Sequence, residues 1–309
     1  GRCIFSIDAC DGTRRWEFRT PHALEKVAAV ADLNGDEVGE LFVGSAQGDL
    51  HLLDGASGDL RRQTRLPEYA DRDGNLLRPK VNDILALDEE ATRAMVASKD
   101  GFVRLFDLGG LSLEWETDVF GVLSYGGSLR MAPAPEASEG GPARVVVLAG
   151  SDSTGYATSP CGLALLDSAG TVLWNTRQPQ WCHLVPELGS FGGKPVVLAS
   201  TEQQVRLMDL ADGESAVKTI PVNNLDKKAA IVSQVDENRY VLVSSLGDLT
   251  MVSGSGEMQW YYPRIDHVTA LNGGFVGDST EDALFCCEWD SSVRYTTYQI
   301  SEGGGTGKA

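Results

Sequence analysis

Residues 102–117, FVRLFDLGGLSLEWET, decide the fold. A run of alternating apolar and polar residues ends in Asp107, a glycine-containing turn follows, and a second short run carries Trp115. Period-two alternation is what a half-buried strand requires, and Asp with Gly between two such runs reads as a hairpin. The same order returns in CIFSIDACDGTRRWEF at 3–18, DLHLLDGASGDLRRQTRL at 49–66 and GLALLDSAGTVLWNT at 162–176. It returns again in QVRLMDLADGESAVKTI at 204–220 and DLTMVSGSGEMQWYY at 248–262. The anchors Asp8, Asp54, Asp107, Asp167, Asp209 and Ser253 are 46, 53, 60, 42 and 44 residues apart, about 49 on average. Trp16 and Trp115 follow their anchors by eight residues, Trp174 and Trp260 by seven.

Two further β-branched runs lie between successive hairpins, as in KVAAVADL then ELFVGSAQG, VNDILAL then AMVASKDG, and AAIVSQV then YVLVSSLG. Each repeat is therefore four antiparallel strands, A to D. Four-stranded sheets repeated every 40–50 residues or so close radially into a β-propeller, which leaves only short protected edges. The expected fold is all-β, with six four-stranded blades and seven as the alternative. The chain begins with C and D strands, so the N-terminal strands are expected to close the ring. RCIFSIDA and SVRYTTYQI both read as C strands, and this surplus is what keeps seven blades open. One domain is expected over 1–301, with a flexible Gly-rich tail at 302–309. The repeated Asp is expected to bond the amides of its own turn. The Trp is expected to pack between neighbouring blades, with its N–H on a backbone carbonyl.

The net charge is −18 and the pI about 4.6, which excludes a general nucleic-acid surface. No apolar run approaches the roughly 20 residues of a membrane helix. Six cysteines permit disulfides, Cys161 with Cys182 foremost, and with them a secreted, periplasmic or cell-surface location. No spacing reads as a zinc site, and no triad or nucleotide loop stands out.

The sharpest local motif is DLNGDEVGE at 32–40. Asp32, Asn34 and Asp36 alternate, Gly35 permits a tight turn, Val38 offers a carbonyl and Glu40 follows. Ca²⁺ takes six to eight or so hard oxygen ligands, and this turn supplies that type of donor. YADRDGNLL around Asp71 and VGDSTEDA around Asp278 are weaker echoes, read as polar turns.

A second candidate is the mouth of the ring, where the first residues of the A strands converge. Those positions read Lys26, Lys80 with Asn82, Arg130, His183, Lys227 with Lys228, and His267. A basic ring in an acidic protein favours an anionic ligand. The long connections 67–80 and 151–161 lie on the same D–A/B–C face, where binding residues concentrate. Tyr69, Tyr156, Trp181 and Trp289 are the aromatics available there.

The Asp–Gly–Trp hairpins resemble the repeats of pyrroloquinoline-quinone (PQQ) enzymes and of propellers that share the repeat without the cofactor. VADLNGDEVGELFVGS resembles an FG-GAP repeat, the unit of integrin α-subunit propellers, and that likeness implies the Ca²⁺ loop just described. Together these resemblances cover nearly the whole chain. They are specific for fold and poor for function, and the function expected here is a non-catalytic scaffold, a monomer or a module of a larger assembly, recognising a protein, glycan or small anionic ligand. The alternatives are an oxidoreductase holding PQQ in the basic funnel, and a carbohydrate-binding, lectin-like propeller.

Overall fold

The computed structural model describes residues 1–8, 10–70, 74–87, 90–120, 127–135, 143–151, 161–178, 187–200, 204–221, 229–236, 238–244, 249–262, 268–275, 282–288 and 298–299. The elements among them are strands and turns, and no helix there is long and apolar enough to cross a membrane. The chain forms two compact units, Gly1–Arg177 and Gln178–Ala309.

In the first unit, β1 (Cys3–Ile7) and β2 (Arg14–Arg19) pair antiparallel. β3 (Leu24–Ala29), β4 (Leu41–Ser45), β5 (Asp49–Leu53) and β6 (Leu60–Arg65) form a four-stranded sheet in chain order. The connection after it carries a short hairpin, β7 (Tyr69–Ala70) with β8 (Leu76–Leu77). A second four-stranded sheet is β9 (Val81–Ala86), β10 (Arg93–Ser98), β11 (Phe102–Asp107) and β12 (Ser112–Asp118). A third is β13 (Gly127–Ala134), β14 (Arg144–Ser151), β15 (Cys161–Asp167) and β16 (Val172–Gln178).

The second unit repeats the scheme. β17 (Glu187–Phe191), β18 (Lys194–Ser200), β19 (Gln204–Asp209) and β20 (Ala216–Pro221) make one sheet. β21 (Ala229–Asp236), β22 (Arg239–Ser244), β23 (Leu249–Ser253) and β24 (Met258–Tyr262) make the next. β25 (Val268–Phe275), β26 (Asp282–Glu288) and β27 (Tyr298–Gln299) complete it as a three-stranded sheet. Among the described residues β1 pairs with β2 alone, and the strand that follows β26 in its sheet is β27.

Burial on both faces explains why the middle strands read as nearly continuous apolar runs. In β10, Ala94 and Val96 join a cluster with Phe42, Leu52, Val81 and Phe106, between the first and second sheets. Met95 and Ala97 point the other way, into a cluster with Leu129, Val147 and Leu166, between the second and third. In the second unit Val196, Leu198, Tyr240 and Leu242 build the equivalent core between two consecutive sheets. Each fully buried Leu or Val contributes about 1.5–3 kcal/mol.

The repeated Asp and Trp do what the pattern implies. Asp54 Oδ1 accepts the amides of Ala56 and Ser57 at 3.1 and 2.8 Å, and Asp167 Oδ1 accepts those of Ala169 and Thr171 at 3.0 and 2.8 Å. Asp8, Asp107 and Asp209 each take a turn amide in the same manner. Trp16 reaches across to the first four-stranded sheet and donates its indole N–H to Gly55 O at 3.0 Å. Trp115 reaches to the third sheet and donates to Ser168 O at 3.1 Å. Both rings lie flat on a turn glycine of positive φ: a Cβ on Gly58 (φ 78°) would stand 2.5 Å from Trp16, and one on Gly170 (φ 82°) would stand 2.7 Å from Trp115. Only glycine satisfies both the backbone and the ring.

Trp115→Ala removes this apolar bracket and its hydrogen bond. Since the ring is half-buried, the loss of stability is expected at about 2–4 kcal/mol, read from urea unfolding midpoints. A change below about 0.5 kcal/mol would contradict the bracket.

Candidate binding sites

The first residues of the A strands in the first unit are tied to one another. Lys26, in β3, lies 3.5 Å from Asp83 Oδ1 in β9. Lys80, just before β9, lies 3.0 Å from Glu25 Oε2 in β3. Arg130, in β13, donates to Asn82 O of β9 at 2.5 Å, and Asp83 Oδ2 accepts the Met131 amide at 2.8 Å. The second unit laces its A strands similarly: Gln234 of β21 both accepts from Ser190 N and donates to Ser190 O of β17, at 2.8 and 2.7 Å. Lys26, Lys80, Asn82 and Arg130 thus each take part in a tie between adjoining A strands, and carboxylates stand beside both lysines. A polyanionic quinone would meet Glu25 and Asp83 here as well as the cations. His183, Lys227 and His267 lie outside the described residues, as do Cys182, Tyr156, Trp181 and Trp289. Cys161 opens β15, and Cys3 and Cys10 are exposed free thiols.

The B–C turns carry ionic clusters that sequence reasoning missed. Ser45 Oγ donates to Asp49 Oδ2 at 3.2 Å, and Arg65 Nε sits 2.6 Å from Asp49 Oδ1. In the next sheet Arg104 is almost wholly buried, with Asp100 at 2.7 Å, Ser98 Oγ at 2.7 Å and Glu116 at 3.0 Å. A buried guanidinium is tolerated only when its charge and donors are met, and here they are. The legible signal was the repeated Ser-then-Asp at the end of strand B, in GSAQGD and ASKDG.

The A–B loop of the first sheet lies at the opposite strand ends. Asp32 Oδ1 accepts the amides of Asn34, Gly35 and Asp36, and its Oδ2 that of Glu37 at 2.8 Å. Asn34 Oδ1 takes the Asp36 amide at 2.8 Å, and Asp36 Oδ1 takes the Val38 amide at 2.9 Å. The Asn34 side-chain NH₂ sits between two carboxylates, 3.0 Å from Asp36 and 2.9 Å from Asp54. Glu37, at φ 69°, closes the loop. Glu40 is fully buried: one oxygen takes the Leu33 amide at 2.8 Å and the other pairs with Arg61.

The donors are oxygens, the kind Ca²⁺ takes, and Arg61 meets two of the carboxylates, Glu40 and Asp54. They are engaged by amides and by Arg61 rather than converging. No three His, Cys, Asp or Glu side chains form a metal-holding group among the described residues. Asp54 and Arg61, from the C–D hairpin, are the members the loop motif alone did not reveal.

Burial alone would raise the Asp32 pKa, yet the amides of Glu37, Gly35, Asn34 and Asp36 together outweigh it and hold the carboxyl below its usual range. Asp54 is likewise lowered, first by the Ser57 amide, which works against burial, then by the Ser57 hydroxyl, the Ala56 amide and Arg61.

No family model and no curated protein matches the chain. Solved structures do. BamB from Moraxella catarrhalis is 14% identical with a TM-score of 0.55, over 98% of this chain and 87% of that one. The C-terminal WD40 domain of Sif2 is 11% identical with a TM-score of 0.56, over 94% and 71%. Raptor from Chaetomium thermophilum is 13% identical with a TM-score of 0.58, and this chain spans 92% of its own length but 25% of that protein. Identities this low speak to the fold alone, and together with the four-stranded sheets they make it a β-propeller.

The two depressed carboxyls give a pH prediction. An Asp whose folded pKa is lowered adds stability above its unfolded value of 3.8, and that stability disappears as pH falls through the folded value. Urea midpoints are expected to drop below about pH 4, with a smaller drop in Asp32→Asn. An identical acid limb in that variant would remove Asp32 from the account.

Proposed function

We propose that this β-propeller repeat protein is a non-catalytic scaffold that docks a partner protein on its D–A/B–C face. The observation that carries the reading is the β7–β8 hairpin. It stands in the long D–A connection and presents Leu76, 70% exposed, and Leu77, 41% exposed. Adjacent exposed leucines on a rigid base suit a protein surface better than a sugar or an anion. The base is rigid because the B–C turn is pressed against it: the Leu66 amide donates to Gly48 O at 2.9 Å, and a Cβ on Gly48 would stand 2.9 Å from Pro79 O. The lysines at the nearby mouth hold A strands together through Asp83 and Glu25, which supports a positioning role over catalysis. The proposed ring has six blades, with β1 and β2 as outer strands.

Cross-linking from a photoreactive residue at Asn75, between the two short strands, tests the docking face. A specific partner is expected to be captured there and lost by at least about tenfold in Leu76→Asp/Leu77→Asp, with melting unchanged. Undiminished capture by that variant would overturn the reading. Binding on a glycan array, or quinone absorbance after PQQ reconstitution, would favour the lectin or oxidoreductase alternative instead.

We further propose that the A–B loop takes Ca²⁺ through Asp32, Asn34, Asp36, Glu40 and the Val38 carbonyl. What supports this is the wrapped loop, the oxygen-only donor set and the excess of carboxylate over arginine. The ion would staple the A–B loop to the C–D turn, displacing Asn34 N–H₂ from between Asp36 and Asp54. Calorimetry is expected to show one Ca²⁺ site, weakened at least about tenfold by Asp36→Ala. Absence of Ca²⁺ heat, or heat unchanged in Asp36→Ala, would refute it.

A further inference from the structure

One junction between consecutive sheets departs from the Asp–Trp scheme at both of its partners. Strand register identifies the positions. Trp16 lies opposite Ser6, two residues before Asp8, and Trp115 lies opposite Leu105, two residues before Asp107. In β20 the residue opposite Leu207, two before Asp209, is Lys218. The turn that a tryptophan there would cover belongs to the next sheet, β21–β24, and its anchor is Ser253 in place of Asp. β6 carries Arg62 at the same register position, but the turn of the following sheet keeps Asp107.

Ser253 keeps the turn and drops the charge. Its Oγ accepts the amides of Ser255 and Glu257 at 3.3 and 3.1 Å and shares a 2.7 Å hydrogen bond with Ser255 Oγ. With no indole over the turn, an open cleft of about 770 Å³ remains, walled by Lys218, Asn238, Arg239, Ser253, Ser255 and Gln259. Lys218 stretches across the Phe191 ring, 4.9 Å from its centre, and brings Nζ to 2.9 Å from where a Gly254 Cβ would stand. Arg239 lies opposite Ser253 in the β22–β23 register and opposite Asp236 in the β21–β22 register. The wall is thus two cations, two hydroxyls and two amides, in a chain of net charge −18.

We propose that this cleft is a binding site for the phosphate or carboxylate group of a small anionic ligand. Each substitution serves that end. A tryptophan at 218 would fill the space, and an aspartate at 253 would repel the anion. Serine supplies the turn's acceptor without the carboxylate. The volume is in the range of small-molecule pockets, and Asn238 and Gln259 provide hydrogen bonds to the remainder of the ligand. The site lies at the A–B/C–D strand ends of its own sheet and does not rest on the docking reading.

The test titrates the whole chain at low ionic strength with inorganic phosphate and separately with malonate, by calorimetry or amide NMR. Saturable binding of at least one is expected below about 10 mM. Ser253→Asp restores the residue of the other five turns and is expected to keep or raise the melting temperature while weakening binding at least about tenfold. Lys218→Gln is expected to weaken it similarly, and Lys80→Ala, at the ring mouth, to leave it unchanged. Preference between phosphate and malonate assigns the anionic group. No saturable binding of either, or binding that survives both Ser253→Asp and Lys218→Gln, would overturn the proposal.

Discussion

Everything in this molecule depends on sheets that must be covered on both faces. A strand such as β10 sends Ala94 and Val96 one way and Met95 and Ala97 the other, and all four are fully buried. No sheet of this kind can exist alone, since one face would expose several large side chains to water. A neighbour on each side solves the problem for every sheet except those at the ends of a row. The repeat is therefore a consequence of the strand composition, and the junction between sheets is the unit on which stability is decided.

The junction is specified by few residues. Where a tryptophan lies on a turn glycine, the glycine's positive φ, the aspartate that holds the turn and the indole N–H all act on one carbonyl-lined corner. These requirements leave a trace in sequence because each calls for a particular residue type at a fixed offset. That is why the hairpins at 3–18, 102–117 and 162–176 could be placed from residues alone, and why the Asx-turn role of Asp54 and Asp167 was readable. The small β7–β8 hairpin was not readable. Tyr69–Ala70 and Leu76–Leu77 are too short for any period, and only the length of the connection hinted at them.

Charge was the least legible property. Lys26, Lys80 and Arg130 were expected to concentrate positive potential, and the sequence does place them on neighbouring strands. Their partners, Asp83, Glu25 and the Asn82 carbonyl, lie one sheet away and about 50 residues distant, where no local pattern announces them. The same is true of Arg61, whose guanidinium meets Glu40 from 21 positions along the chain. A motif read along the backbone lists donors but not the counter-charges that topology adds. In an acidic protein an arginine beside a carboxylate loop changes how strongly that loop attracts a cation, and only the fold reveals the arginine.

The departures from the repeat are then more informative than the repeat itself. A residue that obeys the scheme is explained by packing and says nothing about a ligand. Lys218 and Ser253 break the scheme from two different sheets, at positions that face each other, and they break it in one direction: less volume, less negative charge. At the Arg62 junction the Trp position also carries a cation, but there the turn keeps Asp107, so the combination of cation and serine is peculiar to this corner among the described residues. The turn at Ser253, meanwhile, keeps every amide acceptor that folding needs, so what was given up there is the carboxylate and not the structure.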